Sequence, residues 1–337
     1  MKFLLTGASG FIGAHLCRHL LAAGHVVRAG CSMPESVDAL RAQAVNAHYA
    51  NALELVRVER SCVHPAGWLA ACQGVDAVFH LAGRAHRSDA SSSDALDIYR
   101  RDNLEVTQAL AQAAIHAGVR RFVFISSVTV YGTHSLDGQA FREHSPVAPH
   151  ERDPYAISKR EAEIFLQTPE IRSLLAPTIV RLPLVYGAGV KGNMRALTRL
   201  VASGLPLPLA GINNRRSLVS IPNLVDFLLQ VALNDKARNQ ILLVSDNADV
   251  STPELIRAIA LGLGRKARLF AVPPRWLQAT SRMLGQGGRY EKLVASFQVD
   301  AACSRDLLNW RPQTGFAEGI VEMCAADINE MDDKNRA

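Results

Sequence analysis

The first half of the chain alternates short runs of apolar, β-prone residues with longer stretches whose apolar positions recur every three or four residues. The runs Lys2–Leu5, Val26–Ala29, Val75–His80, Phe122–Ser126 and Thr178–Arg181 predict buried strands, and Ala47–Ala50 a weaker third strand. Helical spacing covers Phe11–Ala23, Trp68–Cys72, Leu96–Ala117 and Pro154–Leu166. Gly24 and Gly118 stand where two of these helices should stop. Such strand–helix alternation predicts an α/β fold, a Rossmann-type doubly wound parallel sheet with helices on both faces.

The pattern changes after about residue 190. Helices are expected at Met194–Ser203, Asn223–Leu233 and Pro253–Leu263, separated by loops containing Pro and Gly, with Ile241–Ser245 as one more strand. This divides the chain into a sheet domain over residues 1–180 and a smaller lobe over 181–330, interleaved with the sheet domain rather than joined by a linker. Residues 331–337 are polar and read as a frayed tail.

Composition narrows the classes. With 337 residues, 48% of them hydrophobic, the chain can bury a large core. A formal charge of +6 is a mild positive bias that suits anionic ligands. Arg120-Arg121 and Arg215-Arg216 are the tightest basic pairs and no Lys/Arg run appears, so a nucleic-acid partner is not expected. Six cysteines form no CxxC pair and have no His at zinc spacing, which predicts structural thiols and no metal. The apolar start Met1–Leu5 stops at Thr6-Gly7, too short for a signal, and no stretch reaches the roughly 18 apolar residues that span a bilayer. A cytoplasmic protein without membrane insertion is expected.

Two patterns carry chemistry. Gly7, Gly10 and Gly13, followed by the helix that Phe11 and Ile12 open, lie between the first strand and the first helix. In that setting the first glycine permits a tight turn, the second lets backbone approach a pyrophosphate, and the third lets helix pack on strand. The helix N-terminus then offers free N–H groups to phosphate. A dinucleotide is the expected ligand. The second strand ends without the acid that would hold an adenosine ribose, and Arg28 lies in it, which tilts the NAD(P) choice toward NADP, although alternation could point Arg28 away.

The other pattern is Tyr155-Ala-Ile-Ser-Lys159. Four residues apart on a helix, Tyr155 and Lys159 share a face. An isolated pair of this kind arises often by chance. Here a strand also runs into Ser126-Ser127, at the carboxyl end where doubly wound sheets bind ligands. A nearby ammonium should lower the phenol's pKa from about 10, making Tyr155 a proton donor and acceptor, with a serine orienting the substrate oxygen.

These motifs resemble the extended short-chain dehydrogenase/reductases of the sugar-nucleotide epimerase/dehydratase group. The matching pieces are Thr6-Gly-Ala-Ser-Gly-Phe-Ile-Gly13, His80-Leu-Ala-Gly83, Asn103 within Asp-Asn-Leu-Glu-Val-Thr, Ser126-Ser-Val-Thr-Val-Tyr-Gly132, Tyr155-Ala-Ile-Ser-Lys159 and Arg181-Leu-Pro-Leu-Val-Tyr-Gly187. The resemblance implies that Ser127, Tyr155 and Lys159 are catalytic. It implies that Leu81, Ala82, Gly83, Asn103, Ser126 and Pro183 surround the cofactor, and that Asn51 faces the adenine where the family often has Asp. It further implies that Asn193, Arg216 and either Arg289 or Lys292 meet a nucleotide-sugar diphosphate, and that the protein is a homodimer. Val128 after Ser127 departs from the acid that dehydratases of the family place there, and Leu184 from the Asn that many epimerases carry. Among family activities the favoured expectation is 4-keto reduction of UDP-2-acetamido-2,6-dideoxy-4-hexulose in surface polysaccharide synthesis. The close alternative is a UDP-hexose or UDP-N-acetylhexosamine 4-epimerase with bound NAD, and the remote one a non-catalytic NAD(P)-binding regulator.

Overall fold

In the computed structural model the described residues are all but 33–48, 60, 86–93, 137–138, 284–286 and 337. Seven strands form one parallel sheet: β1 (Lys2–Thr6), β2 (Val26–Cys31), β3 (Leu53–Arg57), β4 (Ala77–His80), β5 (Phe122–Ser127), β6 (Thr178–Leu182) and, returning from the second half, β9 (Ile241–Leu243), in the order β3-β2-β1-β4-β5-β6-β9. The carboxyl ends of β1 and β4 lie side by side at the point where the strand order reverses, the usual ligand site of such sheets. Two short strands, β7 (Leu184–Tyr186) and β8 (Leu218–Ser220), pair separately. Among the described residues no helix is long and apolar enough to cross a membrane.

The third strand is a correction. It begins at Leu53, after the segment expected to hold it, and of that segment residues 47 and 48 lie outside the described residues. The true run, Leu53-Glu-Leu-Val-Arg57, is masked in the sequence by its charged ends. The final helix, Phe316–Arg336, also continues through the segment read as a frayed tail.

Alternation on each strand sends one set of apolar residues to each sheet face. Phe3, Leu5, Val27, Ala29, Phe79, Ile125 and Val180 pack with α1 (Phe11–Ala22) and with Phe227 and Leu228. Leu4, Val78, Phe122, Phe124 and Ile179 pack with α2 (Ala66–Cys72), α4 (Val106–His116) and α5 (Pro154–Leu166). The helix expected over residues 96–117 is interrupted: α3 (Ala95–Arg100) passes into one wide π-helical turn, Arg101–Glu105, before α4. The smaller lobe has its own core around Tyr186, Met194, Leu218, Ile256, Ile320 and Met323. The interleaving is visible at β9 and at Trp310, which packs edge-on against Phe227 at 5.0 Å under the main sheet.

Three polar pairs stand opposite each other in register, all on the face covered by α2, α4 and α5. Arg28 meets Glu54 across β2 and β3. Thr6 meets His80 across β1 and β4 at 2.7 Å. Ser126 and Arg181, paired across β5 and β6, both donate to Glu163 of α5, at 2.6 Å from the serine and at 2.9 and 2.7 Å from the guanidinium. Glu163 is fully buried, and Arg181 is 1% exposed. Arg181 also donates to the Tyr131 hydroxyl at 2.7 Å.

The His80 bonds run in one direction. Ala82 N–H donates to Thr6 Oγ1, and Thr107 Oγ1 donates to the Asn103 carbonyl. The Thr6 hydroxyl therefore donates to His80 Nδ1, and His80 Nε2–H donates to Thr107. His80 is neutral: burial, with a smaller repulsion from Lys159, takes its pKa from 6.5 to about 3.

Two outcomes follow from these ties. Arg181→Met strands a buried carboxylate and should cost about 3–5 kcal/mol in urea unfolding. The double variant Arg181→Met/Glu163→Leu should cost less than the two singles together, and strict additivity would refute the coupling. For His80 the unfolded state takes up the proton first, so its contribution is complete above pH 6.5 and is lost as pH falls toward 3. The stability gap between the wild type and His80→Gln should narrow by about 1.4 kcal/mol for each pH unit below 6.5. A gap independent of pH in acid titrations would show that His80 is not held neutral.

Candidate active site

The turn from β1 into α1 brings backbone closer to backbone than any side chain allows. Gly7 has φ +71°, and a Cβ there would lie 2.8 Å from the Ala82 nitrogen. A Cβ on Gly13 would lie 2.1 Å from the Gly7 carbonyl. Gly10 caps α1 with no side-chain bond, and the first helical turn carries no acid. Its opening N–H groups are thus left for an anion, and the cradle fits the pyrophosphate of a dinucleotide.

Beside the cradle is a cavity of about 220 Å³ whose walls include Ile12, Leu81, Gly83, Ser127, Tyr155, Lys159 and Pro183. With Ser126, eight of the residues singled out in the sequence therefore meet in one place. Pro154 opens α5, and the Asp153 carboxylate accepts from the Ala156 N–H, so Tyr155 and Lys159 occupy the first turns of a well-capped helix. Lys159 is 4% exposed. Its Nζ donates to the Ile125 carbonyl at 2.8 Å and lies 4.5 Å over the Phe124 ring. Burial lowers its pKa from 10.5 to about 8, with Glu163 opposing the shift.

Tyr155 differs from expectation. Its phenol is pushed up to about 12 by burial, partly offset by a hydrogen bond from Ser127. The lowering expected from Lys159 is missing because the ammonium is turned onto Ile125 and Phe124. Ser127 Oγ accepts from both the N–H and the hydroxyl of Thr129, at 3.2 and 2.9 Å. Its own proton is thereby directed to Tyr155 or to a substrate oxygen. Thr129 was not singled out in the sequence; a second hydroxyl two residues after the serine was the available signal.

Other expected cofactor residues have different work. Arg28 donates to Glu54 and to the carbonyls of Ala70, Ala71 and Gln73 at the end of α2. As an even position of β2 it points to the α2 face, so its guanidinium is not available to a ribose phosphate. Asn51 is exposed in the turn before β3, at the amino end of the strand, whereas ligands gather at the carboxyl ends. The misplaced third strand is the cause. Ser126 borders the cavity, yet its hydroxyl is committed to Glu163 on the opposite face from Ser127. Asn103, fully buried in the π-helical turn, donates to the Arg84 carbonyl and to Ser158 Oγ and accepts from Arg84 N–H. It clamps the loop after β4 to α5 instead of facing open space. Phe11 packs against the core of the smaller lobe, and Ala82 N–H is held by Thr6.

Of the residues expected to meet the diphosphate, Asn193 and Arg216 lie in the smaller lobe and are not among the described walls of this cavity. Asn193 is exposed in the first turn of α7 (Gly192–Ala202), where Lys191, not Asn193, holds the capping position. Arg216 pairs through its backbone with Val250 and Phe297, and burial alone lowers its pKa. Arg289 and Lys292 belong to a helix, Gly287–Val294, and their side chains lie outside the described residues.

Comparison with known proteins agrees with this geometry. The profile of the NAD dependent epimerase/dehydratase family matches residues 3–244. A UDP-glucose 4-epimerase of Vibrio cholerae is 36% identical over 327 residues, 96% of this chain and 95% of that protein. The dTDP-glucose 4,6-dehydratase DesIV of Streptomyces venezuelae, solved with NAD and DAU, superposes with a TM-score of 0.78 at 24% identity, covering 98% of each chain. A Bacillus cereus UDP-glucuronic acid 4-epimerase, solved with UDP-glucuronic acid and NAD, gives 0.76 at 20% identity over 98% of this chain and all of that one. These two show the fold, and the profile and the V. cholerae relative show the kinship: the chain is an enzyme of the NAD dependent epimerase/dehydratase family.

Proposed function

We propose that the protein is a UDP-sugar 4-epimerase that uses bound NAD to oxidise and re-reduce C4 of a UDP-linked hexose or N-acetylhexosamine. The observation that carries this reading is the make-up of the cavity: Tyr155, Ser127 and Lys159 are present, and no Asp or Glu is among its described walls. Eliminating water across two carbons needs a further acid and base beside the neighbouring carbon, whereas oxidising one carbinol needs a single proton acceptor. A bound nicotinamide would supply the acceptor and donor of hydride. Gly7, Gly10, Ile12, Gly13, Leu81 and Gly83 would hold its dinucleotide. The engagement of Arg28 removes one of the two grounds for preferring NADP, and NAD in the two superposed complexes supports NAD.

Tyr155 takes the C4 hydroxyl proton as hydride leaves and returns it when the 4-keto sugar is reduced on its other face. Ser127, held by Thr129, donates to the same oxygen. Lys159 below its pKa keeps a positive charge at the cavity floor, favouring the phenolate once a ligand draws it from Ile125. Arg216, half-buried without a carboxylate partner among the described residues, suits the diphosphate.

A second reading, the 4-ketoreductase expected from the sequence, is favoured by Leu184. This residue packs on the smaller lobe's core and offers no hydrogen bond where many family epimerases carry Asn. Exposed Ile98 and Ile164 on α3 and α5 support a homodimer, which sedimentation would show as a mass near twice 36.6 kDa.

Purified protein given UDP-glucose or UDP-N-acetylglucosamine, with no added cofactor, should form the C4 epimer and release NAD on denaturation. Stoichiometric consumption of NADH with a UDP-4-keto-6-deoxy sugar, without epimer exchange, would instead establish the reductase. Tyr155→Phe should lower kcat by about 10²–10⁴-fold. Because Lys159 is charged only below its pKa, kcat/KM should fall as pH rises through about 8. A flat profile from pH 7 to 9.5 would remove Lys159 from this role.

A further inference from the structure

The chain's positive charge is not spread over it. Between Arg265 and Lys292 lie seven Arg and Lys and a single acid, Glu291. Setting these aside from the 37 basic and 31 acidic residues of the whole chain leaves thirty of each. The net charge of +6 thus resides in this one segment, and the rest of the protein is balanced.

The same segment exposes its large apolar side chains. Phe270 is 47% exposed, Trp276 64% and Met283 87%. Trp276 and Met283 lie seven residues apart on α10 (Pro274–Met283), two turns along one face. Phe270 belongs to an extended edge that bonds to the strand-like segment at Leu207, two residues from Leu205, which is itself 59% exposed. Arg265, Lys266, Arg268 and Arg275 are exposed at this edge, and among the described residues no carboxylate pairs with them.

We propose that this edge of the smaller lobe docks on an anionic lipid surface, with α10 lying in the interfacial plane. Charge complementarity names the partner. A substrate diphosphate needs a few cations converging on one point, whereas these lie along an edge interspersed with Trp, Phe, Met and Leu. Such apolar groups suit the boundary between headgroups and acyl chains. They offer nothing to the phosphates of a nucleic acid. The contact is peripheral and needs no spanning segment. The proposal is independent of the reaction catalysed, and its test does not use activity.

The protein carries its own reporter. Of three tryptophans, Trp68 and Trp310 are each 4% exposed, so Trp276 alone answers to a change of surroundings at the surface. The full chain is mixed with vesicles of phosphatidylcholine alone or of equal parts phosphatidylcholine and phosphatidylglycerol, and both flotation and tryptophan emission are read. Binding to the anionic vesicles only, with a blue shift and weakening at high salt, is expected. The variant Arg265→Glu/Lys266→Glu/Arg268→Glu should lose on the order of 100-fold in affinity, at about five-fold or more for each charge. Trp276→Ser should abolish the blue shift, and Met283→Ser should weaken binding while leaving the fold intact by circular dichroism. The proposal is overturned by absence of flotation, by equal binding to neutral vesicles, or by full affinity in the triple variant. Displacement by duplex DNA at equal charge would make the face a nucleic-acid surface. A blue shift on concentrating the protein alone, with doubled mass, would make it a contact between copies.

Discussion

One carboxylate with no access to water, Glu163, joins the three elements around the proposed catalytic residues. It sits one helical turn beyond Lys159 on α5, receives the hydroxyl of Ser126 from β5, and takes both arms of a guanidinium from β6. A buried charge pair is a poor source of stability, because desolvating both ions offsets most of their attraction. What it supplies is register. The charges are satisfied only when α5, β5 and β6 are aligned to within a hydrogen bond. Successive strand residues point to opposite faces, so fixing Ser126 toward Glu163 leaves Ser127 on the other side, where Tyr155 meets it. The distance between proton donor and helper is thus set by a group that touches neither.

The opposite wall of the cavity is held by different means toward the same end. Gly7 and Gly13 let the β1 turn, the start of α1 and the loop after β4 approach within side-chain distance. The one-way chain from Ala82 through Thr6, His80 and Thr107 to Asn103 holds that loop from behind. A charged His80 would reverse one bond and place a cation near Lys159, so burying it neutral protects both the chain and the lysine. The raised pKa of Tyr155 is consistent with this economy of charge. The phenol keeps its proton near neutral pH, and Lys159 rests on a backbone carbonyl and an aromatic face.

The parts of this architecture that were legible in the sequence are those written in local pattern. Apolar runs marked β1, β2, β4, β5 and β6, and the glycine spacing and the Tyr155–Lys159 interval each follow from one element's own geometry. The errors share a cause. β3 is half-buried and carries Glu54 and Arg57, so it lacked a pure apolar run, and the register lost there carried Asn51 to the wrong end of a strand. Arg28 was read from its place in the second strand, and Ser126 and Asn103 from the family resemblance, whereas their partners Glu54, Glu163 and Ser158 lie 26, 37 and 55 residues away. One clue was present: an arginine inside the apolar run Thr178–Leu182 demands a buried acid, and Glu163 on the helix just before it was the candidate.

The smaller lobe repeats the device that organises the larger one. Asp246, buried at the end of the segment after β9, accepts from Ser220 N–H, from the Tyr186 hydroxyl and from Asn223, and Asn223 in turn holds the Thr314 carbonyl. Burial raises its pKa while these three donors and the Ser220 hydroxyl oppose the rise. Each half thus has an interior carboxylate that aligns it, and each of these draws its donors from stretches far apart in the chain. The residues proposed to move the proton hang on the first of these centres. Arg216 and the helices that follow it hang on segments joined through the second. Because the two sets share no ligand to either carboxylate, substitutions in the smaller lobe can leave the geometry of Tyr155, Ser127 and Lys159 intact. That separation would let the proposed substrate side change without disturbing the proposed catalytic groups.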